Sequence, residues 1–353
     1  MSNSSRTGTR GILFALASAA LFGVSTPVAK LLLGEIDPWL LAGLLYLGSG
    51  LGLAGATLLR RALGMARTEA PLRRSDLPWL VSIVVCGGLI GPVLLMIGLA
   101  RTEASSASLL LNLEGLATMT IAWIVFRENV DRRILLGALA ILAGAAILSW
   151  KGGVEIRWGT LAIVGACLAW GIDNNLTRKL SSADPVQIAL TKGLVAGAVN
   201  VGLALLRGAS LPVPELAIAG AVIGFLGYGV SLVLFVLALR QLGTARTGAY
   251  FSTAPFIGAI VAIVIFGEPV TPQLLAAAGL MAAGLYLHLV ENHEHEHEHE
   301  PFVHEHAHTH DAHHAHAHRS DDPAGEPHVH VHAHTRLVHR HPHYPDIHHR
   351  HPH

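Results

Sequence analysis

The chain has 353 residues, 52% hydrophobic and only 14% charged, with 24 Lys+Arg against 24 Asp+Glu. That excludes an ordinary soluble enzyme, which carries roughly a quarter charged residues, and a disordered chain, because this much apolar surface would not stay in water. The zero net charge averages two unlike pieces: residues 1–290 hold 20 basic and 13 acidic residues, residues 291–353 hold 4 and 11, and 23 of the 24 histidines follow residue 290.

In chain order, an N-terminal arm (1–10) precedes apolar runs at 11–33, 38–59, 77–100, 104–126, 134–150, 159–177, 185–206, 216–239, 245–266 and 272–290. A bilayer core needs about 20 such residues per helix, so the pattern predicts an all-α membrane protein with ten transmembrane helices. A soluble bundle fails, because consecutive apolar spans leave no polar face for water. Arg6, Arg10 and Ala15-Leu16-Ala17 imitate a signal peptide. The apolar stretch before that site is too short and the run continues to Leu33, so the first helix is read as uncleaved. With the N-terminus inside, one set of loops carries 14 Lys+Arg and the other 4, which places both termini in the cytoplasm of a cell with this chain in its inner or plasma membrane. Cys86 and Cys167 fall inside spans, so no disulfide framework is expected. The basic residues are scattered, which argues against a nucleic-acid partner.

The body repeats. Ala19-Ala20-Leu21-Phe22-Gly23 is matched by Cys167-Leu168-Ala169-Trp170-Gly171 at an offset of 148, and Asp37-Pro38 by Asp184-Pro185 at 147. Phe126-Arg127-Glu128-Asn129-Val130 is matched by Phe266-Gly267-Glu268-Pro269-Val270 at 140, as is Gly144 by Gly284. The halves, 11–150 and 151–290, hold five spans each. An odd number turns the second half upside down relative to the first, the inverted arrangement that sets a transport site between two halves.

Leu99-Ala100-Arg101-Thr102-Glu103-Ala104-Ser105-Ser106-Ala107, Asn112-Leu113-Glu114, Phe126-Arg127-Glu128-Asn129-Val130, Leu136-Gly137-Ala138 and Leu142-Ala143-Gly144 together resemble the EamA repeat of the drug/metabolite transporter superfamily. The second half resembles it through Ala238-Leu239-Arg240, Ala254-Pro255-Phe256 and Gly267-Glu268-Pro269. The resemblance implies ten helices in two inverted five-helix EamA repeats, and a secondary transporter, usually an exporter of small organic molecules, rather than an enzyme. The family pattern has Glu-Pro in the fourth helix. Here Gly115 follows Glu114, which weakens the expected kink, while the second half keeps Pro255 after Ala254.

Charge in mid-membrane costs about 2.5–3.5 kcal/mol on insertion scales, so each such residue is a site candidate. Glu114 is the deepest acid, read either as a substrate-amine or proton-titrating carboxylate or as a structural partner of a lysine. Lys192 would meet an anionic substrate group or neutralise Glu114. Lys30 could snorkel to the outer surface. Asp173, Asn174 and Asn175 would line a cavity or end a helix at the cytoplasmic face. Tyr250 and Ser252 are further cavity candidates, whereas Glu128 and Glu268, at helix ends, read as structural. Gly220, Gly224, Gly227 and Gly229 in one span, and Gly48, Gly50, Gly52 and Gly55 in another, suit close helix packing. No catalytic constellation appears.

Residues 291–353 form a cytoplasmic low-complexity tail, expected to be disordered without a ligand. Its tandem copies, 293–318 and 328–353, superpose at an offset of 35. The first copy carries His293, His295, His297, His299, His304, His306, His308, His313, His314, His316 and His318. In the same order, the second carries His328, His330, His332, His334, His339, His341, His343, His348, His349, His351 and His353, and only His310 is left alone. Between the copies histidine spacing is kept while surrounding charge changes sign. That suits a chelator of nickel, cobalt, zinc or copper, which neutral imidazoles bind. A solubilising tail is the alternative. No cofactor is required by the body. Expected partners are the lipid bilayer, a small-molecule substrate and transition metal ions, with a homodimer as a further option. Metal could be regulator, or cargo as an ion or a chelating metabolite.

Overall fold

The computed structural model describes residues 3–64, 71–126, 132–150, 158–180, 183–242 and 244–289, and in the tail 294–299, 303–308, 328–333 and 337–342. Every regular element of the body is a helix. The first half contains α1 (Asn3–Leu32), α2 (Pro38–Ala62), α3 (Leu77–Ile83), α4 (Gly91–Leu99), α5 (Ala104–Leu110), α6 (Asn112–Phe126) and α7 (Arg132–Ser149). The second contains α8 (Trp158–Leu180), α9 (Pro185–Leu206), α10 (Pro214–Gly224), α11 (Ser231–Leu242), α12 (Thr244–Phe251), α13 (Ala254–Phe266) and α14 (Pro272–Leu289). Among the described residues, six helical stretches are long and apolar enough to cross a membrane: Arg10–Leu32, Pro38–Ala62, Arg74–Leu99, Ala104–Val125, Pro185–Leu206 and Pro214–Ala238. Leu135–Ser149, Ala254–Phe266 and Pro272–Leu287 are shorter apolar helices.

Local chemistry explains the helix ends. The duplicated Asp-Pro pairs are helix starts. Asp37 accepts from Trp39 N–H (2.9 Å) and Leu40 N–H (3.1 Å), Asp184 accepts from Val186 N–H (2.9 Å), and each following proline opens a helix. Such a cap satisfies donors that lack an intrahelical partner, and proline at the first helical position has no N–H to lose. Gly267, with φ of 60°, ends α13 in a left-handed turn.

Two long helices carry wide turns that the hydrophobic pattern does not announce. A π-helical segment, Val84–Ile90, joins α3 to α4, and another, Phe225–Val230, joins α10 to α11. The span over 104–126 is broken at Leu111 although it has no proline there. Asn112 turns its side chain back onto the Leu109 carbonyl (2.8 Å). The interruption is one residue long, Leu111 keeping right-handed helical angles (φ −64°, ψ −13°), and Glu114 falls in the first turn of α6. Its counterpart lies between α12 and α13, where Pro255 enters the new helix.

Packing between the halves is reciprocal. α2 packs on α9 and α7 on α14, while α1 packs on α11 and α13 just as α8 packs on α4 and α6. The core runs through the middle, with Leu40, Leu41, Leu45, Leu95, Met96, Leu99 and Ile163 almost fully buried. Large apolar side chains such as Leu58, Ile124 and Val264 remain exposed on the outside. An apolar exterior around a small-residue interior is the pattern of a protein solvated by lipid.

Where the composition of the tail predicts disorder, its described backbone forms four strands. β1 (Glu294–His299) pairs antiparallel with β4 (Leu337–Pro342), and β2 (Val303–His308) with β3 (His328–Ala333). Histidine alternates strictly with Glu, Val or Ala in parts of these segments, which is the period of a strand. The register sets His295 opposite His341, His297 opposite His339, and His304, His306 and His308 opposite His332, His330 and His328. His299 faces Leu337 instead of another histidine. The other expected metal ligands, His293, His313, His314, His316 and His318 in the first copy and His334, His343, His348, His349, His351 and His353 in the second, lie outside the described residues. So do the side chains of all the tail histidines, and with them any metal geometry.

Candidate functional site

The wide turn Val84–Ile90 organises the centre of the body. A π turn leaves main-chain carbonyls without their usual helical donor, and here side chains from three other helices replace it. Tyr46 of α2 donates its hydroxyl to the Gly87 carbonyl (2.6 Å), Trp170 of α8 donates its indole N–H to the same oxygen (3.1 Å), and Asn200 of α9 donates to the Gly88 carbonyl (3.0 Å). A Cβ at Gly87 would collide with the Asp173 carboxylate and the Lys192 ammonium, so any larger residue there has to push those side chains aside.

Asp173 and Lys192 form a buried ion pair, Nζ to Oδ2 2.5 Å. This corrects the expectation for Lys192. Its partner is Asp173, not Glu114, and the ammonium is already committed to a protein carboxylate. Burying two charges is tolerable only when they are paired at good geometry, and Thr177 donates to the other Asp173 oxygen at 3.3 Å.

Glu114 has a neutral hydrogen-bond partner, with the Asp173–Lys192 pair nearby. Its Oε1 accepts from Asn174 Nδ2 (2.9 Å), which also reaches Thr118 Oγ1 (3.2 Å). In the first turn of α6 the carboxylate sits near the positive end of that helix. Asn175 is used structurally, donating to the carbonyls of Thr118 (2.9 Å) and Gly171 (2.8 Å). The Asp173-Asn174-Asn175 run is thus not a helix end, since α8 continues to Leu180.

Beside this polar group lies a set of rings absent from the sequence candidates. Phe22 meets Trp170 (centroids 6.2 Å apart), Tyr228 (5.8 Å) and Phe251 (5.5 Å), Tyr46 meets Tyr228 (5.4 Å), and Phe235 meets Phe251 (4.8 Å). The signal that could have found the first pair is the repeat itself, because Phe22 and Trp170 occupy matching positions in the two halves.

The remaining candidates lie elsewhere. Lys30 hydrogen-bonds the Thr102 carbonyl and lies 5.8 Å from the Phe266 ring centroid, at the end of the body where Glu268 accepts from Ala104 N–H (2.7 Å) and Ser105 N–H (2.9 Å). Both residues fasten helix ends. Ser252 gives its hydroxyl to the Gly248 carbonyl (2.7 Å), and the Tyr250 carbonyl accepts from Thr253 Oγ1 (2.6 Å), so this stretch shapes the break before α13. Neither is hydrogen-bonded to the Glu114 group. Glu128 lies outside the described residues. Cys86 and Cys167 are free thiols. Among the described residues, no group of three or more His, Cys, Asp or Glu could hold a metal ion.

Comparison with known proteins agrees with this architecture. A crystal structure of a protein 21% identical in sequence covers 79% of this chain and 98% of its own, with a TM-score of 0.60, and has the same fold. An "Uncharacterized transporter" of Methanothermobacter thermautotrophicus is 27% identical over 292 residues, 78% of this chain and 85% of that one. A "Probable terminal-alkyne amino-acid exporter" of Streptantibioticus cattleyicolor is 26% identical over 248 residues, covering 68% and 83%. A "Probable amino-acid metabolite efflux pump" of Salmonella typhimurium is 26% identical over 205 residues, covering 53% and 67%. The EamA-like transporter family matches residues 9–150 and again residues 157–290. The chain is a multi-pass membrane protein and belongs to the EamA-like transporter family.

Proposed function

We propose that the protein is a secondary transporter that exports a small amine-bearing metabolite by alternating access between two inverted halves. The observation that carries this reading is Glu114: an acid within a membrane span whose side-chain partner is a neutral amide, while the neighbouring lysine is held by Asp173. A carboxylate so placed can take the ammonium group of a substrate or a proton. Two relatives are named a "Probable amino-acid metabolite efflux pump" and a "Probable terminal-alkyne amino-acid exporter", and an amino acid carries such an amine. Counting α3–α4, α5–α6, α10–α11 and α12–α13 as single broken spans gives ten crossings, with both termini cytoplasmic and the chain in the inner or plasma membrane. The test is export from cells or proteoliposomes. Glu114→Gln keeps the Asn174 contact in kind but removes the charge, and should lower amine export by about tenfold or more, the worth of a hydrogen bond to a charged group. Undiminished export would reject the role of Glu114.

The tail is proposed to bind a divalent transition metal and to report metal status to the body. Support comes from the shared histidine spacing of its two copies, and from a strand register that sets five histidine pairs at facing positions. Imidazoles with a pKa of about 6.5 must be neutral to bind. Titration of the full chain with nickel, cobalt, zinc or copper should therefore show binding that weakens as pH falls below that value. A chain ending at Asn292 should lose it. The second reading, metal as cargo, is tested by the metal content of cells making the full chain, the shortened chain or Glu114→Gln. Equal content in all three would exclude it.

A further inference from the structure

A buried hydroxyl without a partner costs about 1–3 kcal/mol, so each asks for an occupant. Thr26 and Tyr228 are 1% and 7% exposed; among the described residues the Thr26 hydroxyl has no hydrogen-bond partner, and the Tyr228 hydroxyl has none at full hydrogen-bond geometry, with the Ser25 side chain beside it. They share one region. The Tyr228 and Phe22 rings are 5.8 Å apart, and Thr26 lies one turn beyond Phe22, on the same face of α1.

The repeat explains why Thr26 is unpartnered. At the offset of 148, Thr26 stands where the second half has Asn174, whose amide is held by Glu114. At the offset of 140, the position of Glu114 is taken by Ala254, so the acid that would complete the contact is missing. Ser25, matching Asp173, donates its hydroxyl to the Phe22 carbonyl (2.6 Å). Leu45 matches Lys192 at the offset of 147. The two regions are equivalent in architecture: Gly87 abuts Asp173, and 140 residues later Gly227 abuts Ser25. One therefore presents an acid with amides, the other hydroxyl donors with no charge of their own. Among the described residues Trp39 Nε1, Ser108 and Thr247 also lack partners, but none of them contributes to the ring cluster.

We infer that the hydroxyls of Thr26 and Tyr228 form a second polar subsite, which receives the carboxylate of a substrate whose ammonium lies on Glu114; the inference rests on the proposed role of Glu114. Ser25 and Glu114 are both electrostatic neighbours of Tyr228, and the Phe22, Tyr46 and Trp170 rings cluster with the Tyr228 ring. A hydroxyl can donate one hydrogen bond, and a bond to an ionised acceptor is the stronger kind. Lys192 does not supply the anion's partner, because Asp173 holds it. The pair selects a zwitterion, which also brings no net charge across the bilayer.

The test uses the full chain in lipid nanodiscs and three probes of one shape: L-leucine, isoamylamine, which lacks the carboxylate, and 4-methylpentanoate, which lacks the amine. Calorimetry should show leucine bound more tightly than either. Tyr228→Phe and Thr26→Val should each weaken leucine by about tenfold, the scale of one charge-assisted hydrogen bond. Isoamylamine binding should not change, which also reports an intact fold. An unchanged preference for leucine over isoamylamine in both variants overturns the subsite, as does a wild-type chain that binds none of the three at millimolar concentration. Glu114→Gln should weaken leucine and isoamylamine together. If it leaves both unchanged, the role of Glu114 fails instead.

Discussion

The two wide turns occupy matching places in the two halves, yet their surroundings differ. Around Val84–Ile90 the freed carbonyls are taken by Tyr46, Trp170 and Asn200, and an ion pair closes on Gly87. Around Phe225–Val230 the neighbours are rings and hydroxyls, and the Tyr228 hydroxyl has no partner at full hydrogen-bond geometry among the described residues. Duplication supplied one backbone solution twice. The differences between Glu114 and Ala254, Asp173 and Ser25, and Lys192 and Leu45 then made one copy charged and the other neutral.

The comparison can be broken most directly at the ion pair. Asp173→Asn leaves Lys192 buried without a counter-charge and should cost about 3–5 kcal/mol, seen as lost folded yield or a lowered Tm. Adding Lys192→Met should restore much of it. If Asp173→Asn is as stable as the wild type, the first wide turn is not anchored by charge. A smaller effect is expected from added methyl groups. Gly87→Ala forces the ion pair apart and should destabilise by about 1–3 kcal/mol. Gly227→Ala meets the Ser25 side chain and should be relieved by Ser25→Gly. Equal responses to that relief in both turns would erase the difference between them. Glu268→Ala removes the cap of α5 and should cost about 0.5–2 kcal/mol, measured in the same unfolding assay. Truncation after Asn292 should leave Tm unchanged, since the body is complete without the tail.

How much of this the sequence reveals depends on the residue. Asp37-Pro38 and Asp184-Pro185 announce their helix starts, because a cap acts through bonds two or three residues away. Glu114, Lys192 and Asp173 stand out because charge is rare in apolar spans. Which of them pair is not legible: Asp173 and Lys192 are brought together by the crossing of α8 and α9 at the first wide turn. Tyr46, Trp170 and Tyr228 look like ordinary apolar-span residues, and their part emerges only when a π turn exposes a carbonyl or withholds one. The break at Leu111 was hidden for a related reason, since an asparagine folding onto its own backbone replaces the proline that marks the second half.

The crossing of α2 and α9 has a mechanical consequence. A side chain added at Gly43, Gly50, Gly193 or Gly197 would strike the main chain of the opposite helix, so at these four positions the helices touch backbone to backbone. Such a contact resists approach and separation but offers little resistance to turning. If the halves rock as proposed, bulk added at this crossing should jam the cycle while leaving the binding of substrate intact.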